Sequence, residues 1–201
     1  MTGRLRLQVR ALLRDESGST LVEFAFVAPI LILILMGLFD LGFQTYAQTT
    51  LQGAMQDAGR SSTLEPGVIT YSMMDADVRE SVQNIIPGAT VTFTRKNYQN
   101  FADIRQPEDF TDNNHNDECD NNEPFEDVNG NGSWDADRGG DGAGGARDAV
   151  LYNGKATFNR VFPLHRFLDL PATITIDAGT VLRNQPFDEQ ANRNPVVGHC
   201  T

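Results

Sequence analysis

The sequence predicts an α+β protein: a long N-terminal transmembrane and stalk helix, then a second helix and a small antiparallel sheet, with an acidic, loop-rich insertion. Three observations lead there. Apolar residues crowd into the first quarter of the 201-residue chain. Further on, the hydrophobic period shifts from that of a helix to the alternation of strands. Between Glu108 and Asp137 the chain carries eleven Asp or Glu residues and no Lys or Arg. Residues 108–148 are also poor in apolar side chains, so a folded head must come from 45–107 and 148–185.

Residues 24–39, FAFVAPILILILMGLF, carry no charge. As a helix they rise about 24 Å, and adding Leu21–Val22 and Leu41–Gly42–Phe43 gives a length sufficient for a roughly 30 Å hydrocarbon core. Glu23 and Asp40 fall near the two ends. Arg4, Arg6, Arg10 and Arg14 precede the run and place that end in the cytoplasm by the positive-inside rule. The acidic remainder is then expected in the periplasm of a bacterial cell, anchored by one inner-membrane pass. A cleaved secretory signal is the weaker reading, because the apolar run is too long for an h-region and no AxA-like site follows closely. Pro29 inside the run is a feature that transmembrane helices tolerate.

Beyond the membrane, Tyr46, Ala47, Leu51, Ala54, Met55 and Ala58 lie at helical spacing, with Gly59 and Pro66-Gly67 bracketing the end. A second helix is expected from Ser72 to Ile86, with Met74, Val78, Val82 and Ile85 on one face and Pro87-Gly88 as its stop. Ala89–Arg95 alternates as a strand, with Val91 and Phe93 on one face. Val150–Tyr152 and Lys155–Phe158 read as a hairpin turned at Asn153-Gly154. Thr173–Ile176 alternates again, and Thr180–Leu182 continues it after a bulge at Gly179. The expected layout is a leader at 1–18, a membrane and stalk helix at 19–62, and a head at 63–107 and 148–185. An insertion at 108–147 and a tail at 186–201, without period and poorly ordered, complete it.

Gly18 stands before the apolar run, and Glu23 follows it by five residues. A glycine before a scissile bond lets the backbone approach a peptidase without a side-chain clash. Asp15, Glu16, Ser17 and Gly18 favour a break before the helix. With the basic leader, this resembles the prepilin peptidase site of type IV pilins and pseudopilins, cut between Gly18 and Ser19. In an assembly, Glu23 would pair with the new amine of a neighbouring subunit and set its register. Val22-Glu23-Phe24, Ala28-Pro29 and Gly37-Leu38-Phe39-Asp40-Leu41-Gly42 resemble the TadE-like proteins of tight-adherence (Tad) pili. That resemblance covers residues 17–60. It implies a minor pilin or pseudopilin with a longer periplasmic part beyond the motif, and not the far shorter major subunit. The implied partners are a prepilin peptidase, other Tad pilins and pseudopilins, inner-membrane assembly proteins and membrane lipid.

The insertion has calcium-loop spacing, with oxygen ligands at positions 1, 3, 5, 7, 9 and 12. In the first loop these are Asp112, Asn114, Asn116, the Glu118 carbonyl, Asp120 and Glu123, with Asp117 at the sixth, left-handed position. In the second they are Asp127, Asn129, Asn131, the Ser133 carbonyl and Asp135, with Gly132 at the sixth. Position 12 there is Arg138, so Asp137 is expected to substitute. The Asp-Val-Asn-Gly-Asn-Gly stretch resembles dockerin and thrombospondin type 3 loops, which implies calcium in a loop-rich repeat. An all-oxygen set suits a hard cation, and magnesium would prefer more water. The competing reading is a disordered acidic linker, against which Phe110, Phe125 and Trp134 stand. Gly139–Gly145 reads as a flexible connector and lacks the setting of a phosphate loop.

Cys119 and Cys200 are the two cysteines. Neither belongs to a CxxC pair, which argues against zinc, and in an oxidising compartment they are a candidate disulfide. A net charge of −11 disfavours a nucleic-acid partner. His115, His165 and His199 show no metal spacing, and no GxSxG, HExxH or Walker motif occurs, so no enzyme is expected. The runner-up function is an unprocessed, membrane-anchored calcium-binding adhesin or ligand-binding module.

Overall fold

The computed structural model describes residues 17–64, 71–184 and 194–201. The leader up to Glu16 and Pro66-Gly67 lie outside the described residues. The fold is α+β with a long apolar N-terminal helix. Helix α1 spans Ser17–Leu64 and runs through Gly18, Pro29 and Gly59 without ending. The break expected before residue 19 is therefore absent at Ser17 and Gly18. The chain divides into two compact units, Met1–Gln44 with Arg160–Ala172, and Thr45–Asn159 with Thr173–Thr201.

In the first unit, α1 presents Phe24, Phe26, Ile30, Ile34, Leu38 and other large apolar side chains outward. Thr20–Ser61 is a helix long and apolar enough to cross a membrane, with mean hydropathy 2.6 in its best window. Asp40 is buried, accepting a hydrogen bond from Gln44 Nε2 at 2.8 Å and pairing with Arg160 Nη1. Arg160 opens a segment built on a 3-10 turn, Pro163–Arg166, with Leu164 buried beneath it. Phe162 stacks on Phe39, ring centroids 6.1 Å apart.

In the second unit, the rest of α1 buries Ala47, Leu51, Met55 and Ala58, while Tyr46 faces outward. Helix α2, Tyr71–Ile85, buries Met74, Val78 and Val82, the stripe that its 3.6-residue period sets on one face. The strands are β1 (Thr90–Tyr98), β2 (Pro124–Asp127), β3 (Gly140–Asp141), β4 (Ala149–Asn159), β5 (Thr173–Arg183) and β6 (Val196–His199). A four-stranded antiparallel sheet has the order β3-β1-β4-β5, and β2 pairs with β6 separately. Rows of side chains cross the sheet, such as Val91–Ala156–Ile176 and Phe93–Gly154–Ala178. The core lies on this face. Arg95 is sandwiched by the rings of Tyr71 and Tyr152, 4.9 and 4.3 Å from their centroids, and is neutralised by Asp75. Burial, and then the Asp75 carboxylate that accepts a hydrogen bond from its hydroxyl, pushes the Tyr152 phenol well above its ordinary range.

Four expectations are corrected. Asn153-Gly154 is no turn: β4 runs straight through it, paired to Thr94 and Phe93 on one side and to Gly179 and Ala178 on the other. A Cβ on Gly154 would lie 2.9 Å from Met55 Sδ, so the glycine admits α1 close to the sheet. Gly179 makes no bulge, because the β4–β5 register is unbroken; the Asn153 side chain fills the space beside it. Residues 139–145 are not a loose connector. Asn97 Nδ2 donates to the carbonyls of Gly140, Asp141 and Gly142, and Asp148 accepts the Gly145 N–H at 2.7 Å. Finally, residues 196–199 are a strand rather than an aperiodic tail, and Cys200 is bonded to Cys119 with Cα atoms 5.4 Å apart. The tail's earlier part, 186–193, lies outside the described residues.

Candidate functional site

On α1, Gly18 and Ser19 belong to the helical backbone, and Glu23 lies exposed one turn on. From Glu23 to Asp40 the helix rises about 25 Å, so the two carboxylates mark the ends of the apolar run.

The insertion contains two loops of the same hydrogen-bonded form. In the first, Asp112 Oδ1 accepts the N–H of His115 at 2.6 Å, and Oδ2 that of Asp117 at 3.0 Å. In the second, Asp127 Oδ1 accepts from Gly130 at 2.6 Å, and Oδ2 from Gly132 at 2.8 Å. The backbone N–H of Asp117, then those of His115 and Asn116, hold the Asp112 carboxyl below its usual range. Asn114 Oδ1 and Asn129 Oδ1 receive the N–H two residues on, as do Asn116 Oδ1 from Glu118 and Asn131 Oδ1 from Ser133. Asp120 receives both amides of Asn114 and Asn116, and Asp135 those of Asn129 and Asn131. Left-handed residues recur at the fourth and sixth positions: His115 and Asp117 (φ 63° and 61°), Gly130 and Gly132 (77° and 81°).

Each loop is closed by one buried glutamate. Glu123 Oε1 accepts the Asn113 N–H at 2.7 Å and Oε2 that of Asp120 at 3.3 Å. In the second loop the residue with the matching contacts is Glu108, not Asp137. Glu108 Oε1 accepts Val128 N–H at 2.8 Å and Oε2 accepts Asp135 N–H at 3.1 Å. Glu108 and Glu123 are 1% and 2% exposed. Asp137 turns away, accepting the Tyr98 hydroxyl at 2.9 Å and pairing with Lys96 at 3.2 Å. Arg138 binds the Pro107 carbonyl and Asp109.

Spacing counted forward from Asp127 could not find Glu108. A repeat was the available signal: Glu108-Asp109-Phe110-Thr111-Asp112 and Glu123-Pro124-Phe125-Glu126-Asp127 share the pattern Glu-x-Phe-x-Asp. The backbones at the two phenylalanines form an antiparallel bridge, and the Phe110 ring meets Trp134 edge-on at 5.7 Å. This small apolar nucleus, the β2–β6 pair and the disulfide order a segment whose composition alone suggests none. The donors assembled around each loop are all oxygen, which fits a hard cation. Among the described residues, no three His, Cys, Asp or Glu side chains are grouped to hold a metal ion, so carboxamide and carbonyl oxygens would have to share the coordination.

The architecture is that of a chain led by one long apolar helix into an α+β head. Residues 18–60 match the family model of TadE-like proteins. No curated protein matches the chain, and no solved structure does. The family match ends within α1 and leaves the head and the insertion outside it.

Proposed function

We propose that this chain is a TadE-like minor pilin or pseudopilin serving assembly of a tight-adherence pilus. The observation that carries the reading is the family match over residues 18–60, which contains Gly18, Glu23 and the whole apolar run. A prepilin peptidase cuts between Gly18 and Ser19, leaving the helix as a single inner-membrane anchor with the head in the periplasm. Glu23 then pairs with a neighbouring subunit's amine, and other Tad pilins and assembly proteins are its partners. N-terminal sequencing of protein extracted from membranes, with and without the peptidase, tests this. Ser19 at the mature terminus, lost on Gly18→Leu, is expected; an intact leader in native cells removes the reading.

The two insertion loops bind calcium under the same proposal, with Glu108 in the role that spacing assigned to Asp137. What supports it is the shared form of the loops and their all-oxygen donors. Calorimetry of the full chain in detergent is the check. Affinity of roughly 10⁻⁴–10⁻³ M is expected for loops of this extracellular type. No heat beyond dilution at several-fold higher calcium rejects it.

A further inference from the structure

The segment joining β4 to β5 has the wrong surface for a soluble loop. Val161, Phe167 and Leu168 are 58%, 62% and 54% exposed, and Leu170 is also outward. A soluble protein rarely turns this many large apolar side chains of one short segment toward water. Its place in its unit is fixed by two contacts with α1. Phe162 stacks on Phe39, the last residue of the uncharged run. Arg160 pairs with Asp40, the first charge after that run, and the side chains are only 12% and 4% exposed. Arg160 is itself tied back to its segment, Nε to the Pro171 carbonyl at 2.8 Å and N–H to the Ala172 carbonyl at 2.9 Å.

We infer that residues 160–170 form an interfacial wedge that dips into the lipid surface beside the far end of the anchor helix. The inference rests on the reading that α1 spans a membrane. The occupant is lipid because Phe162 holds the segment against Phe39, on the stretch of helix where Leu38, Phe39 and Leu41 are all exposed. An aspartate at the hydrocarbon boundary is costly unless paired. The wedge supplies that partner from its own first residue. Exposed Arg166 beside Phe167 puts a cation next to an aromatic at the level where headgroup phosphates lie. The wedge sets how deep the anchor sits, since sinking or lifting the helix by a turn would strip Phe167 and Leu168 from lipid or drag Asp40 and Arg160 into it.

The test places Phe167→Trp and, separately, Leu35→Trp in the full chain, reconstituted in nanodiscs with lipid brominated on the upper acyl chain. The parent chain, whose one tryptophan is Trp134, is the baseline. A side chain about 5–10 Å deep at the headgroup–acyl boundary should lose about twofold in emission and be shielded from aqueous acrylamide. If Leu35→Trp is quenched by bromolipid while Phe167→Trp is reached by acrylamide, the wedge is wrong and the span stands. If Phe167→Trp is shielded from both quenchers, protein covers it, a second copy for instance, and the lipid assignment is overturned. If neither variant is quenched by bromolipid, the span fails and the wedge with it.

Discussion

Glu108→Gln separates the two candidates for the second loop's closing carboxylate. Glu108 is almost wholly buried, and its two carboxylate oxygens accept N–H groups from Val128, Asn129 and Asp135. Glutamine keeps one acceptor oxygen but aims an NH₂ at the other donors. At least one buried N–H then loses its partner, which costs about 1–3 kcal/mol. The same change removes a negative charge from the loop, so calcium affinity at that loop should fall by at least about tenfold, equivalent to 1.4 kcal/mol. Trp134 is the reporter, since its indole donates to the Glu108 carbonyl at 2.9 Å. Trp134 emission of the full chain during urea unfolding and calcium titration reads both effects. Asp137→Asn is the control and should leave the calcium response unchanged while loosening Tyr98. A calcium response lost in Asp137→Asn and kept in Glu108→Gln would refute the assignment.

Three other outcomes are expected. Gly154→Ala should cost under about 1 kcal/mol, because Met55 can yield and an uninterrupted strand accepts alanine, whereas Gly154→Val should cost about 1–3 kcal/mol by overpacking; equal, large losses in urea unfolding would restore the turn. Burial, and then Asp137, pushes the Tyr98 phenol up to about 12, so the folded state holds that proton more tightly than the unfolded chain. Its stabilisation is complete below pH 10 and is lost as pH climbs toward 12; phenolate absorbance rising for Tyr98 near pH 10 in folded protein would contradict this. Glu23→Gln should leave cleavage at Gly18 intact and reduce pilus output, and unchanged piliation would leave Glu23 a boundary residue only.

Where a segment's own periodicity was strong, the sequence was enough. Met74, Val78 and Val82 name the buried face of α2, although Ile86, just past its end, rather than Ile85 is the last buried residue, and of the pair read for β1, Val91 is buried and Phe93 half-buried. The failures share a cause. Asn153-Gly154 is a strong local turn signal, but strands on both edges hold β4 extended, and the glycine answers to Met55 instead. Gly179 is likewise explained by a cross-strand neighbour. Val196–His199 is too short to show alternation, and its pairing with β2 depends on residues far away in sequence. Glu108 escaped because loop spacing looks only downstream, while the closing carboxylate comes from the approach to the other loop.

The pairing of β6 with β2, and of Cys200 with Cys119, has a consequence for the order in which the chain emerges. Synthesis proceeds from the N-terminus, so both acidic loops exist before the strand that clasps them. Until residues 196–200 arrive, β2 offers an unpaired edge and Cys119 a thiol without its native partner. During that interval the insertion is open to the wrong strand or the wrong thiol. A truncation before Val196 would freeze the molecule in that half-made state, although it removes nothing from the head's own sheet.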